Sequence, residues 1–309
     1  MFPTTILLAV DGSPDSDRAA RMATRLSKDL GSELHVVLVG RRVPVSGTVP
    51  EHPPLDADFE SWAREILERD ARERLEEQLG KIRAEGVEVS GTHPRIGHPD
   101  AEIVNLSEEI GAGLVVVGSR GLGHLKRAVM GSVSRSVVRH NHCPVLVVRG
   151  GQGAPFSGAT LVGADGSREA AEAARAGAEI STATGAGLHL VYVMRTERYR
   201  PQPGPEAWEG WQENVGRAAR AAQSWIEGQA KRLRIESGAK SVEGHLVFGD
   251  PDREIVRLAG ELDAGLVILG SRGLGGVRRM LLGSVSDSVV EHAPGPVMVV
   301  RVPARRAGG

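Results

Sequence analysis

The chain contains itself twice, and that duplication limits what it can fold into more than any other property. "ILLAVDGS" (Ile6 to Ser13) returns as "TLVGADGS" (Thr160 to Ser167), and "LHVVLV" (Leu34 to Val39) returns as "LHLVYV" (Leu188 to Val193), each 154 residues later. From Ile96 to Arg149 the first half aligns without gaps to Phe248 to Arg301, with 32 of 54 positions identical. The offset there is 152, so one middle segment differs by two residues. A period this long marks a duplicated domain and not a solenoid, whose units run to about 20–50 residues. A length of 309 residues suits two cores, since single domains commonly hold roughly 150. We expect domains at 1–149 and 160–302, a Gly- and Pro-containing connector at 150–159 and a tail at 303–309.

Within each half, short β-branched runs alternate with helical patterns. In the first half the expected strands are Thr5 to Val10, Leu34 to Val39, Val87 to Thr92, Leu114 to Val117 and Val145 to Val148. Continuous apolar runs such as "LVVV" and "VLVV" suit strands buried on both faces, as in a parallel sheet covered by helices on each side. Aromatic residues are 3% of the chain, so the cores must be aliphatic. Ser13 is placed to cap a helix that opens with Pro14 and Asp15, and Phe59, Trp62, Ile66, Leu75, Leu79 and Ile82 form an apolar stripe along a charged helix. The expectation is two tandem doubly wound α/β domains, each a five-stranded parallel sheet of order 3-2-1-4-5 with helices on both faces. In that order the connections reverse direction between strands one and four, and ligands of such sheets bind in the crevice at their carboxyl ends.

A repeated loop falls at that crevice. "GSRGLGHLKRAVMGS" (Gly118 to Ser132) follows the fourth strand of the first half, and "GSRGLGGVRRMLLGS" (Gly270 to Ser284) that of the second. Gly118, Gly121 and Gly131, and again Gly270, Gly273 and Gly283, are spaced G-x2-G-x9-G. Glycines permit positive φ and let main-chain N–H groups approach an anion without a Cβ between them. Gly131 and Ser132 open the next helix, as do Gly283 and Ser284. Its free N–H groups and positive end favour phosphate, with the hydroxyls of Ser132, Ser134, Ser284 and Ser286 as further donors. Arg120 and Arg272 can offer guanidinium donors to phosphate oxygens or stand as solvated loop charges. Asp11 and Asp165 end the first strands, where they suit ribose hydroxyls or a base amino group, or serve only the turn chemistry of Asp-Gly-Ser.

Established nucleotide motifs are absent. A P-loop needs Lys and Ser/Thr where His124 and Leu125 stand, or Gly276 and Val277 in the second copy, and the final glycine of G-x-G-x-x-G is missing. With neither a P-loop lysine nor an evident general base, the residues favour a binding protein over a slow ATPase or nucleotidyl-transfer enzyme, and intact motifs in both halves argue against an interaction scaffold with vestigial nucleotide sites. A net charge of −1 gives no bulk electrostatic case for nucleic acid or a membrane surface. No signal-like start and no long apolar run is present, so the chain reads as soluble and cytoplasmic. "RHNHC" (Arg139 to Cys143) looks metal-like, but its second copy reads "EHAPG", so no metal site is expected. The fifth-strand runs "PVLVV" and "PVMVV" are apolar edges with no guarding charge, a configuration that invites pairing.

The loop spacing, the Asp within "VDGS" and the closing "HCPVLVV" together resemble the universal stress protein family in its tandem two-domain form, over nearly the whole of both halves. The resemblance implies an adenine nucleotide alpha hydrolase-like fold and one adenine nucleotide per half: ATP, or else ADP or AMP. No acidic pair near the loop marks a metal, although phosphates often bring Mg²⁺ with them. Carried over by position, the resemblance implies adenosine contacts from Ala9, Asp11 and Val39, and phosphate contacts from Gly118, Arg120, Gly121, Gly131, Ser132, Val133 and Ser134. In the second half it implies Gly163, Asp165, Val193, Gly270, Arg272, Gly273, Gly283, Ser284, Val285 and Ser286. It also implies pairing of the two fifth strands within a chain, in a stress-response or signalling module, and further assembly into a homodimer of chains is compatible with that arrangement. The long segments at 40–57 and 195–214, with Tyr199, Trp208 and Trp211 in the second, match no family motif and suit a lid, a partner surface or a loop.

Overall fold

The structure, a computed structural model, describes residues 3–40, 59–121, 130–150, 155–195, 205–273 and 282–302. Tyr199, the basic stretches "HLKR" and "VRR", the tail and most of the 40–57 segment lie outside these residues. The described residues divide into two compact units, one up to residue 149 and one from residue 150.

The first unit runs β1 (Thr5–Val10), α1 (Pro14–Leu30), β2 (Glu33–Gly40), α2 (Phe59–Ala84), β3 (Gly91–Ile96), α3 (Pro99–Glu109), β4 (Leu114–Gly118), α4 (Ser132–His140) and β5 (Val145–Val148). All its strand pairs are parallel, with β1 between β2 and β4, β3 outside β2, and β5 beyond β4. The second unit repeats this with β6 (Thr160–Gly163), α5 (Arg168–Thr184), β7 (Leu188–Met194), α6 (Pro205–Ser237), β8 (Val242–Phe248), α7 (Pro251–Glu261), β9 (Leu266–Gly270), α8 (Ser284–His292) and β10 (Val297–Val300). There β6 lies between β7 and β9, β8 outside β7, and β10 beyond β9.

Burial follows the apolar runs. Ile6, Leu7, Leu8, Val36, Val37 and Leu114 to Val116 have no solvent exposure, so the inner strands are covered on both faces. Helix α1 packs beside α2, and α3 beside α4; the second unit pairs α5 with α6 and α7 with α8 in the same way. Ser13 caps α1 by accepting from Ser16 N–H at 3.2 Å, and Gly31 closes it in the left-handed region at φ 65°. On α2, Leu75, Leu79 and Ile82 are buried as the stripe requires.

The third strand differs from expectation. It starts at Gly91 and ends at Ile96 instead of running from Val87 to Thr92, with Gly91 opposite His35 and Ile96 opposite Gly40. The buried Val87 belongs to the entry turn. The strand itself alternates between half-buried and exposed positions and includes Pro94, which an edge strand tolerates because one side of its backbone has no partner.

Candidate nucleotide crevice

The turn after β1 brings three residues to the carboxyl end of the sheet. Gly12 takes φ 82°, which only glycine adopts without strain, and this lets Asp11 Oδ1 accept from Ser13 N–H at 3.0 Å. Ser13 then donates its hydroxyl to the carbonyl of Arg120 at 3.0 Å, tying the β1–α1 turn to the loop after β4. The second unit repeats these ties, with Gly166 at φ 85°, Ser167 N–H on Asp165 Oδ1 at 2.9 Å and the Ser167 hydroxyl on Arg272 O at 3.5 Å. Asp11 and Asp165 therefore do perform turn chemistry, through one carboxylate oxygen.

The other oxygen explains a loop glycine. A Cβ on Gly121 would lie 2.5 Å from Asp11 Oδ2, and one on Gly273 would lie 2.5 Å from Asp165 Oδ2. At Gly118 a Cβ would meet the backbone of Asp15 and Ser16 at 2.8 Å; at Gly270 it would meet Glu169 Cβ at 2.7 Å and Ala170 N at 2.9 Å. None of the six motif glycines has positive φ. Of the two properties glycine offers, close approach is what these positions use, while positive φ belongs to Gly12 and Gly166 in the turns after β1 and β6.

Arg120 is held within the protein. Its Nε donates to Asp15 Oδ2 at 3.0 Å, and Ser119 Oγ donates to the same oxygen at 2.6 Å. Arg18 binds the other oxygen at 2.5 Å. Burial pushes the Asp15 carboxyl up, but the Ser119 and Arg120 hydrogen bonds and the charges of Arg120 and Arg18 outweigh it, so the group is held below the ordinary carboxylate range. The Arg120 side chain stays 43% exposed although its Nε is anchored. In the second unit Glu169 takes the place of Asp15 and binds Arg272 at 3.2 Å, while the buried Ser271 hydroxyl has no partner among the described residues.

The helix serines divide. Ser134 donates to Ser119 O at 2.9 Å and Ser286 to Gly270 O at 2.7 Å, so these hydroxyls brace the loop from within. Ser132 and Ser284 begin α4 and α8 after Gly131 and Gly283, where no side chain caps the helix. The first turn of α4 carries no acid to offset its positive end. Ala9 and Val39 lie on β1 and β2, and Gly163 and Val193 on β6 and β7, near the carboxyl ends of their strands, with Val133 and Val285 in the first turns of α4 and α8.

Sequence reasoning missed the other groups around the Asp11 turn. Arg74 donates to Asp11 O at 3.4 Å, and the amide of buried Gln78 lies 3.5 Å from where a Gly12 Cβ would be. In the second unit Trp225 faces Gly166 and meets Tyr192 edge-on, with ring centroids 5.3 Å apart. The missed Asp15 had a signal, since an acid stands at the same place in both repeats, as Asp15 and Glu169.

Each unit is thus a doubly wound parallel α/β domain with a glycine loop and an uncapped helix at the carboxyl end of its central strands. The chain belongs to the universal stress protein family, whose sequence pattern matches residues 3–149 and again 159–301. It is similar over 307 residues to a universal stress protein of Mycolicibacterium smegmatis, with 33% identity covering 96% of each chain. It is also similar to universal stress protein YxiE of Bacillus subtilis, with 36% identity over 151 residues, 47% of this chain and 97% of that one. The crystal structure of a universal stress protein from Archaeoglobus fulgidus shares the fold, with TM-score 0.66 and 24% identity over 97% of this chain and 99% of that one.

Proposed function

We propose that each half binds one adenine nucleotide, ATP in the first instance, and that the protein acts as a nucleotide-dependent stress-response module. The observation that carries this reading is the paired arrangement of an uncapped helix start (α4, α8) and a glycine pressed against an aspartate (Gly121 on Asp11, Gly273 on Asp165). Phosphates sit at the amide-rich start of α4 or α8, beside Ser132 or Ser284. The exposed end of Arg120 or Arg272 supplies positive charge. Asp11 and Asp165 face the ribose, with Ala9, Val39, Gly163 and Val193 lining the adenosine end. Magnesium enters only with the phosphates. Among the described residues no helix is long and apolar enough to cross a membrane.

We also propose that β5 and β10 pair within a chain through their unguarded apolar edges, and that chains assemble as homodimers. Nucleotide binding is tested by mass spectrometry of small molecules released from the purified protein, followed by calorimetric titration with ATP. One or two equivalents of an adenine nucleotide are expected; a protein that neither carries nor binds one refutes the reading.

A further inference from the structure

A second chemistry sits at the opposite, amino-terminal end of the strands. His189, the second residue of β7, lies opposite Glu243 on β8, and His245 follows two positions along on the same face. His189 Nδ1 is 2.9 Å from His245 Nε2 and 3.8 Å from Glu243 Oε2, and the ligand-capable atoms of all three lie within 4.8 Å of one another. Two half-buried imidazoles and one exposed carboxylate therefore converge at the surface of an outer strand pair. We propose that His189, His245 and Glu243 form a binding site for a divalent transition ion of the zinc class.

The donor set suits such an ion. Imidazole nitrogens bind zinc at ~2.0–2.1 Å, and three protein ligands with an open position is an established arrangement. At that bond length a tetrahedral angle separates two nitrogens by ~3.3 Å, so a small opening of the pair seats the metal. The two imidazoles select against calcium and magnesium, which take oxygen ligands. The ligating nitrogen must also be unprotonated. Burial, then the neighbouring His189, lowers the pKa of His245, against the raising effect of Glu243.

The first half carries a sister arrangement built differently. His35 Nδ1 lies 3.0 Å from His93 Nε2, with the rings stacked 5.3 Å apart. Here the acid is Glu33, two residues before His35 on its own strand, 3.9 Å from His35 Nε2. Position 91, aligned with Glu243, is glycine, and position 187, aligned with Glu33, is also glycine. Each half thus keeps two histidines and one glutamate while the glutamate changes strands. An added Cβ at Gly91 would collide with the His35 ring, so that half cannot take its acid from β3 without moving the pair. Among the described residues only the second-half trio brings three ligand-capable atoms within 4.8 Å of one another, so the second-half site is the tighter one.

The test is calorimetric titration of the full chain with Zn²⁺, paired with the visible spectrum of the Co²⁺ form. Wild type is expected to show a tight equivalent that both His189→Gln and His245→Gln remove, together with the Co²⁺ ligand-field bands. A weaker equivalent is expected to disappear in His93→Gln. Circular dichroism and ATP titration of each variant check that fold and crevice are intact, which separates this site from the nucleotide reading. A wild type that binds no Zn²⁺, or a folded His245→Gln variant that titrates like wild type, overturns the proposal and leaves the pair as a histidine–histidine hydrogen bond.

Discussion

Replacing Gly121 and Gly273 together by alanine separates binding from folding. Each new Cβ lands 2.5 Å from an aspartate oxygen, about 0.9 Å inside ordinary contact, and nothing else lies closer than 3.7 Å. The obstacle is the end of a side chain, so the carboxylate swings away and its bond to Ser13 or Ser167 N–H, now 3.0 or 2.9 Å, is lost. One such hydrogen bond is worth about 0.5–1.5 kcal/mol. At about 2–4 °C per kcal/mol, the melting temperature of a domain this size falls by roughly 1–6 °C. Gly118→Ala behaves otherwise, because its Cβ meets main chain at 2.8 Å that no rotamer change relieves, and overpacking of that kind costs about 1–3 kcal/mol or more. In wild type, ATP at a hundred times its Kd adds about 2.7 kcal/mol to the domain that binds it. The assay is differential scanning fluorimetry with and without ATP, backed by calorimetry. The expected result is a small drop in the unliganded melting temperature and loss of the ATP-induced rise. A double variant that keeps the full ATP-induced rise refutes the placement of phosphate and ribose around these glycines.

Other perturbations probe other links. Asp15→Asn weakens the anchor for Ser119, Arg120 and Arg18 and lowers stability at neutral pH by about 1–3 kcal/mol, measured by urea unfolding. Because the Asp15 pKa is lower folded than unfolded, its contribution is present above the unfolded value of about 3.9 and lost as pH falls through the folded one. Wild type should therefore lose its margin over Asp15→Asn only on the acid side, and a margin constant down to pH 2 contradicts the assignment. The Cys143 thiol is pushed up to about 11, chiefly by burial, although the residue as a whole is half-buried; its alkylation at pH 8 should be slow in native protein and fast in urea. Val147→Cys with Val299→Cys should form an intrachain disulfide under mild oxidation if β5 and β10 pair, and persistent free thiols at both positions count against that pairing.

The parts of this architecture that were legible in the sequence are those set by local pattern. Continuous β-branched runs located β1, β2, β4 and β5 to within a residue, because strands buried on both faces admit almost nothing else. The outer strand β3 was misplaced by four residues, since its polar alternation and Pro94 are features an edge permits and a propensity argument penalises. The glycine spacing pointed to the crevice, but the reason for each glycine was visible only in three dimensions, where Asp11 and the Asp15 backbone press on the loop. Arg120 illustrates the same limit. Its partner Asp15 is 105 positions away in the chain, and no periodicity reports contacts at that separation. The histidine pairs were hidden for a related reason, because His189 and His245 meet only through the register of β7 against β8.

The duplicated halves are not freely interchangeable. A Cβ at Gly163 would lie 2.5 Å from Leu269 Cδ2, whereas the aligned positions of the first half hold Ala9 and Val117. The two crevice walls have traded a methyl group on one strand for a longer side chain on the next, so Gly163→Ala alone overpacks while Gly163→Ala with Leu269→Val does not. The second half therefore returns toward the first most easily by a paired step, in which Leu269 shortens before Gly163 gains its methyl.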